Sequence, residues 1–326
     1  MNQTLLLENL TNPALLFFIL GIIAVLFKSD LEIPPSTSKF ISLYLLFSIG
    51  FKGGQELSHE SLNTETIELM IFGVFLSVII PIYTFFILKK KLSIADSSAI
   101  ASAYGSVSAV TFVTAVSFLE YHNLKLHGQM VAIMALMESP AIIIALTLLS
   151  IYDKDQINNK SYAIKHSFTN GSVLLIIGSL IIGFITTLKN AEGIKPFTND
   201  IFKGFLAIFL LDMGITSGKK LKSFFQHGWF PILFAILIPL INGCVFGYLS
   251  FLVTNEVSNR FILAILAASA SYIAVPAAMK NAVPSANPSL YLPMALAITF
   301  PINITVGLPL YRSEEHTSEL QSRQYL

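Results

Sequence analysis

Two short stretches decide the fold: Tyr104-Gly-Ser-Val-Ser-Ala109 and Ser269-Ala-Ser-Tyr-Ile-Ala-Val-Pro276. Each interrupts a long apolar run with small and hydroxyl residues, and each carries a Ser-x-Ser pair, Ser106 with Ser108 and Ser269 with Ser271. The pairs are related by one offset, 269 − 106 = 271 − 108 = 163. A second match runs in nearly the same register. Ser48-Ile-Gly50-Phe-Lys-Gly-Gly54-Gln-Glu-Leu57 aligns with Asp212-Met-Gly214-Ile-Thr-Ser-Gly218-Lys-Lys-Leu221, at 214 − 50 = 218 − 54 = 221 − 57 = 164. Taken singly, such motifs are also ordinary small-residue packing between membrane helices. Two kinds of match in one order argue for duplication.

The surrounding composition places these stretches in a bilayer. Of 326 residues, 54% are hydrophobic and 12% charged, with a mean hydropathy of +0.71. A soluble domain carries about twice that charge. Spanning about 30 Å of hydrocarbon takes about 20 helical residues. Runs of that kind fall at roughly 13–28, 38–54, 68–88, 96–119, 128–152, 170–188, 198–216, 228–253, 259–282 and 290–311. The reading is an all-α polytopic membrane protein of ten transmembrane helices, the fourth and ninth broken and crossing. Five helices per half is odd, so the halves enter from opposite sides as a 5+5 inverted repeat, an architecture whose sites lie between corresponding broken helices. The division is 1–152 for the first repeat, 153–169 for a short cytoplasmic linker, 170–311 for the second repeat and 312–326 for a tail. From Arg312 the composition changes abruptly and resembles translated sequencing-adapter DNA, so the tail is expected to be non-native. Lysines concentrate in the loops that an outside N-terminus would place inside, including Lys89, Lys90, Lys91, Lys219, Lys220 and Lys222. The expected topology is N-out and C-out in the cell membrane, with the first helix retained because no basic segment or cleavage site accompanies it.

Several function classes drop out. A net charge of +1 gives no field for nucleic acid. One cysteine, Cys244, builds neither a disulfide framework nor a thiolate metal site, and six scattered histidines lack metal-ligand spacing. Neither glycine-rich stretch ends in the Gly-Lys-Ser/Thr of a phosphate loop, and almost every carboxylate lies outside the apolar runs, so no catalytic constellation forms. An enzyme is not expected, nor a cofactor.

Two carboxylates break that pattern: Glu138, mid-helix in Met137-Glu-Ser-Pro140, and Asp212 near the end of the seventh run. Charge at such depth normally faces a polar cavity. The expected cation ligands are Glu138, Ser139, Asn303 and Asp212, with Asn303 a neutral counterpart of Glu138 in the tenth helix. For Glu138 the structural alternative is a partnership with Lys52 or with a proline-freed backbone amide, and for Asp212 an interfacial helix-end charge. At the breaks, half-helix termini of both polarities bring partial charges to mid-membrane. Gly105, Ser106, Val107, Ser108, Ala109 and Thr111, with Ser269, Ala270, Ser271, Tyr272 and Ile273, are the expected substrate-binding residues. No arginine or lysine falls in either break, so the anion should be small.

At these positions the chain resembles the sodium-dependent bicarbonate permease family best known from cyanobacteria. The resemblance rests on Gly50-Phe-Lys-Gly-Gly54, Gly105-Ser-Val-Ser-Ala109, Glu138-Ser-Pro-Ala141, Leu211-Asp-Met-Gly214 and the blocks Ala268 to Lys280, Pro284 to Tyr291 and Thr299 to Tyr311. It implies five-plus-five helices in a gate and a core, a homotrimer, sodium-bicarbonate symport into the cell and, in some members, a PII-like cytoplasmic regulator. Transport of another small oxyanion or carboxylate, coupled to sodium or protons, is the alternative. A non-transporting receptor or regulatory subunit is the alternative of another class.

Overall fold

The computed structural model describes residues 13–59, 63–153, 171–224 and 228–312. Among them all regular structure is helical. The elements are α1 (Pro13–Leu26), α2 (Pro35–His59), α3 (Thr64–Leu88), α4 (Ile94–Gly105), α5 (Ala109–Tyr121), α6 (Gly128–Tyr152), α7 (Gly171–Ile185), α8 (Leu188–Glu192), α9 (Phe202–Phe224), α10 (Trp229–Leu249), α11 (Val257–Ala268), α12 (Ala274–Ala282), α13 (Pro288–Pro293) and α14 (Phe300–Ile302). Wide π-turns at Met294–Thr299 and Asn303–Gly307 flank α14, as expected where Pro293 and Pro301 remove backbone donors. Six stretches are long and apolar enough to cross a membrane: Thr64–Leu88, Ile94–Tyr121, Gly128–Tyr152, Pro196–Lys220, Trp229–Leu252 and Pro288–Arg312. Leu15–Leu26, Leu174–Ile185 and Val257–Ala268 are apolar but shorter. Large apolar side chains project from α7 (Leu174, Ile181, Ile182, Ile185) and α10 (Leu237, Ile241, Tyr248) into the surroundings. Together with the hydropathy, these faces make this a multi-pass membrane protein.

Boundaries differ from the sequence reading in two helices. The second runs to His59 and the seventh to Phe224, so Glu56, Lys219 and Lys220 are helical and Asp212 stands mid-helix rather than near an end. Long lysine stems tolerate this because they carry their charge away from the apolar wall. Most of the 153–169 linker and of the 312–326 tail lies outside the described residues.

The two most extensive packings are α2 on α7 and α9 on α1, and glycines make both. A β-carbon on Gly50 would strike the Ile176 carbonyl, on Gly54 the Leu180 carbonyl and on Gly183 the Phe51 carbonyl. Across the other pair, Gly214 meets Phe18, Gly218 meets Val25 and Gly21 meets Leu211. Backbones this close gain dispersion contacts that apolar lipid cannot supply. The glycines matched at an offset of 164 therefore do the same job in two places. They are packing residues.

The breaks form for readable reasons. At Gly105 a β-carbon would overlap the Pro81 ring of α3, so α4 ends against that proline. Ser108 then caps α5, its side chain accepting the Thr111 N–H at 3.2 Å, as serine does at helix starts. In the ninth span Pro276 sits in the first turn of α12, where its missing donor is tolerated. It has no N–H to give the Tyr272 carbonyl, so the helix cannot propagate backwards.

Candidate functional site

The two breaks lie against each other. The Ser271 N–H donates to the Ala103 carbonyl at 2.8 Å, and the Ser108 N–H donates to Ser269 Oγ at 3.1 Å. Ser269 passes its own hydroxyl hydrogen to the Leu266 carbonyl at 3.0 Å. The carbonyl end of α11 is satisfied by two amides: Asn242 Nδ2 donates to Ala267 at 3.2 Å and Asn303 Nδ2 to Ala268 at 2.7 Å. Tyr83 donates to Asn242 Oδ1 and ties α3 into the same group. Tyr104 and Thr299 hydroxyls meet at 2.7 Å, linking α4 to the final span. Left unmade, each such buried bond would cost about 1–3 kcal/mol.

Around this crossing lie two cavities. The inner one, of about 20 Å3, is walled by Leu46, Val107, Ser108, Ala109, Met134, Glu138, Ile176, Ser271, Tyr272, Ile273 and Ala274. It joins both breaks to the mid-helix carboxylate of α6. The outer one, of about 420 Å3, is an open vestibule between the first turns of α2 (Pro35, Ser38, Lys39, Ser42, Leu43), α9 (Phe209, Asp212, Met213, Thr216, Lys219), Glu32, Ile33 and Leu296. Tyr272 and Ile273 wall both spaces. They are the partition between them.

The inner cavity has a definite polarity. Ala109 and Ala274, the first residues of α5 and α12, both wall it. Two helix N-termini, each worth about half a positive charge, thus face the space. Facing the same space is Glu138, with no ion pair among the described residues. Lys52, the structural partner considered for it, pairs instead with Glu120. Ser108 and Ser271 each accept a backbone N–H, from Thr111 at 3.2 Å and Val275 at 3.5 Å, which leaves both hydroxyl hydrogens for another acceptor. The Tyr272 hydroxyl faces Ser108 without closing a bond of ordinary geometry. The set can hold a cation at the carboxylate and an anion at the helix starts. A cavity needs about 10–15 Å3 to take one water, so the inner space holds one water-sized particle, and a larger anion must extend past the partition.

The expected residues therefore separate. Val107, Ser108, Ala109, Ser271, Tyr272, Ile273 and Glu138 meet at the inner cavity. Asp212 lies in the vestibule, beyond the partition, near Ser38 and Lys219. Gly105 packs on Pro81, Thr111 serves the Ser108 cap, and Ser269 holds the crossing. Ser106, Ala270 and Ser139 are buried without walling either cavity. Asn303 caps α11 through Nδ2, its Oδ1 is buried without a hydrogen-bond partner, and it walls neither cavity. Half-helix carbonyl ends were expected at the site, yet Asn242, Asn303 and Ser271 occupy those of α11 and α4. Leu46, Met134 and Ile176 complete the wall; as single apolar residues among dozens, they carry no sequence signal. Among the described residues no group of histidine, cysteine and carboxylate side chains could hold a metal centre.

A search of curated proteins gave no match. A family model described as the Na+-dependent bicarbonate transporter superfamily matches residues 13–314, which takes in both breaks, Glu138 and the vestibule. The chain belongs to the Na+-dependent bicarbonate transporter superfamily.

Proposed function

We propose that this chain is a secondary active transporter that carries bicarbonate into the cell by symport with sodium, with the inner cavity, extended past Tyr272 and Ile273, as the shared site. One observation carries the reading. A single small cavity gathers two helix N-termini, two serine hydroxyls free to donate and one carboxylate without an ion pair. Glu138 is the cation ligand; Ser108, Ser271 and the N-termini of α5 and α12 take the anion; Tyr272 and Ile273 part the site from the vestibule. Coupling is required for accumulation. Moving one anion inward against 100 mV, inside negative, costs about 2.3 kcal/mol, and one sodium ion cancels that charge while adding its own gradient.

The ten-crossing inverted repeat belongs to the same proposal. It is supported by the shared sequence offsets and by the reciprocal pairing of α2 with α7 and α9 with α1. The N-out, C-out topology makes the vestibule cytoplasmic, with Lys39 and Lys219 at its wall. Family membership and the exposed apolar face of α7 support assembly as a homotrimer. A PII-like regulator is a further family-based expectation, its partner surface being the cytoplasmic side.

The test is uptake of labelled bicarbonate into proteoliposomes under an inward sodium gradient, with potassium replacing sodium as control. Sodium-dependent uptake that survives excess nitrate, formate and acetate supports the assignment. Uptake indifferent to sodium, or abolished by one of those anions at equal concentration, overturns it.

A further inference from the structure

We infer that Lys52, Glu56, Glu120, Lys125 and Lys203 form an ionic lock that closes the side of the molecule opposite the vestibule and must separate in every transport cycle. The inference rests on the transport reading above. Glu120, in the last turn of α5, pairs with Lys52 of α2 and lies 3.8 Å from Lys203 of α9. Lys125, just beyond α5, pairs with Glu56 of α2 at 2.8 Å. One cluster thus ties the end of α5 to the two helices that wall the vestibule.

Position gives the cluster its meaning. On α2 the vestibule lining runs from Pro35 to Leu43, and Lys52 lies nine residues, about 14 Å, beyond it. On α9 the order is reversed: Lys203 stands in the first turn, and the vestibule lining runs from Phe209, six residues or about 9 Å further on, to Lys219. Opening and ion pairs therefore occupy opposite ends of the same two helices. The remaining link is α5, a continuous helix whose first residue walls the inner cavity and whose last turn carries Glu120. A rigid helix cannot move its start relative to α2 and α9 while its end stays paired to both. Access from the far side requires Glu120 and Lys125 to leave Lys52, Lys203 and Glu56.

The strength suits a switch. The Lys52 and Glu120 side chains are 33% and 25% exposed, and pairs of such exposure shift an equilibrium by a factor of about five at most. Several together bias the vestibule-open form without freezing it.

The test fixes the contact covalently. In a Cys244→Ser background, the Lys52→Cys/Glu120→Cys variant is joined by a short, cleavable bifunctional thiol reagent, and sodium-driven bicarbonate uptake is measured in proteoliposomes. Cross-linking should lower uptake at least ten-fold, cleavage should restore it, and each single-cysteine variant given the same reagent should keep at least half its rate. Uptake unchanged in protein shown by mass to be cross-linked overturns the lock, as does equal loss in the singly modified variants. The Glu56→Cys/Lys125→Cys pair repeats the test at an independent position, with the same expectations, should the first variant fold poorly. The native chain controls for the transport reading: without uptake there that reading fails, whereas native uptake unaffected by cross-linking contradicts the lock alone.

Discussion

The two breaks share a motif and differ in span. The first leaves three residues between helices, Ser106 to Ser108; the second leaves five, Ser269 to Ile273. In each, the serine that ends the first half-helix turns away from the inner cavity. Ser106 is buried with no hydrogen-bond partner for its hydroxyl, and Ser269 is spent on its neighbours. The serine nearer the second half-helix, Ser108 or Ser271, faces the cavity with a hydrogen to donate. The two extra residues of the second break are Tyr272 and Ile273, the partition to the vestibule. Two like motifs thus yield unlike halves: one closed on the site, the other forming site and door together.

The comparison breaks most visibly if the cavity-facing serines are removed together. Ser108→Ala with Ser271→Ala deletes two donors to a charged ligand, each worth about 1.5–3 kcal/mol. The half-saturating bicarbonate concentration should rise about a hundred-fold or more. Since the Ser108 cap is itself worth about 0.5–2 kcal/mol, thermal stability of the purified variant should be measured beside uptake. Glu138→Gln comes next. It keeps the shape and removes the charge facing the helix starts, so the half-saturating sodium concentration should rise about ten-fold while the bicarbonate value moves less. A variant with both values unchanged would remove Glu138 from the site.

Smaller effects sharpen the contrast. Asn303→Ala uncovers the Ala268 carbonyl and should cost about 1–3 kcal/mol of stability, read as a lower unfolding midpoint, without a selective change in sodium affinity. Ser106→Ala removes a buried hydroxyl that makes no bond, so uptake should stay within about two-fold and stability should hold or rise slightly.

Much of this was legible beforehand because membrane physics writes in long apolar runs and local breakers. Gly105, Pro276 and the two Ser-x-Ser pairs sit at the observed interruptions. Glu138 stood out because isolated charge is costly in hydrocarbon. The division of labour among the serines was not legible. It depends on which hydroxyl each backbone turn aims at the cavity, and that of Ser269 is spent on Ser108 and Leu266 instead. Asp212 showed the same limit. Its depth marked it as functional, yet only the packing of α9 on α1 decides that it faces the vestibule rather than the carboxylate of α6. Glu56 fell beyond the second apolar run, because no local signal shows that α2 continues past Gly54 to His59.

The central claim is that the cavity between the breaks, rather than the serine motif as such, binds the transported ions. It is tested most directly by sodium-driven bicarbonate uptake measured side by side for Ser108→Ala/Ser271→Ala and Ser106→Ala/Ser269→Ala at matched reconstitution. The account predicts a half-saturation raised about a hundred-fold in the first pair and less than about five-fold in the second. Equal half-saturations in the two double variants, or the larger rise in the second, would contradict it.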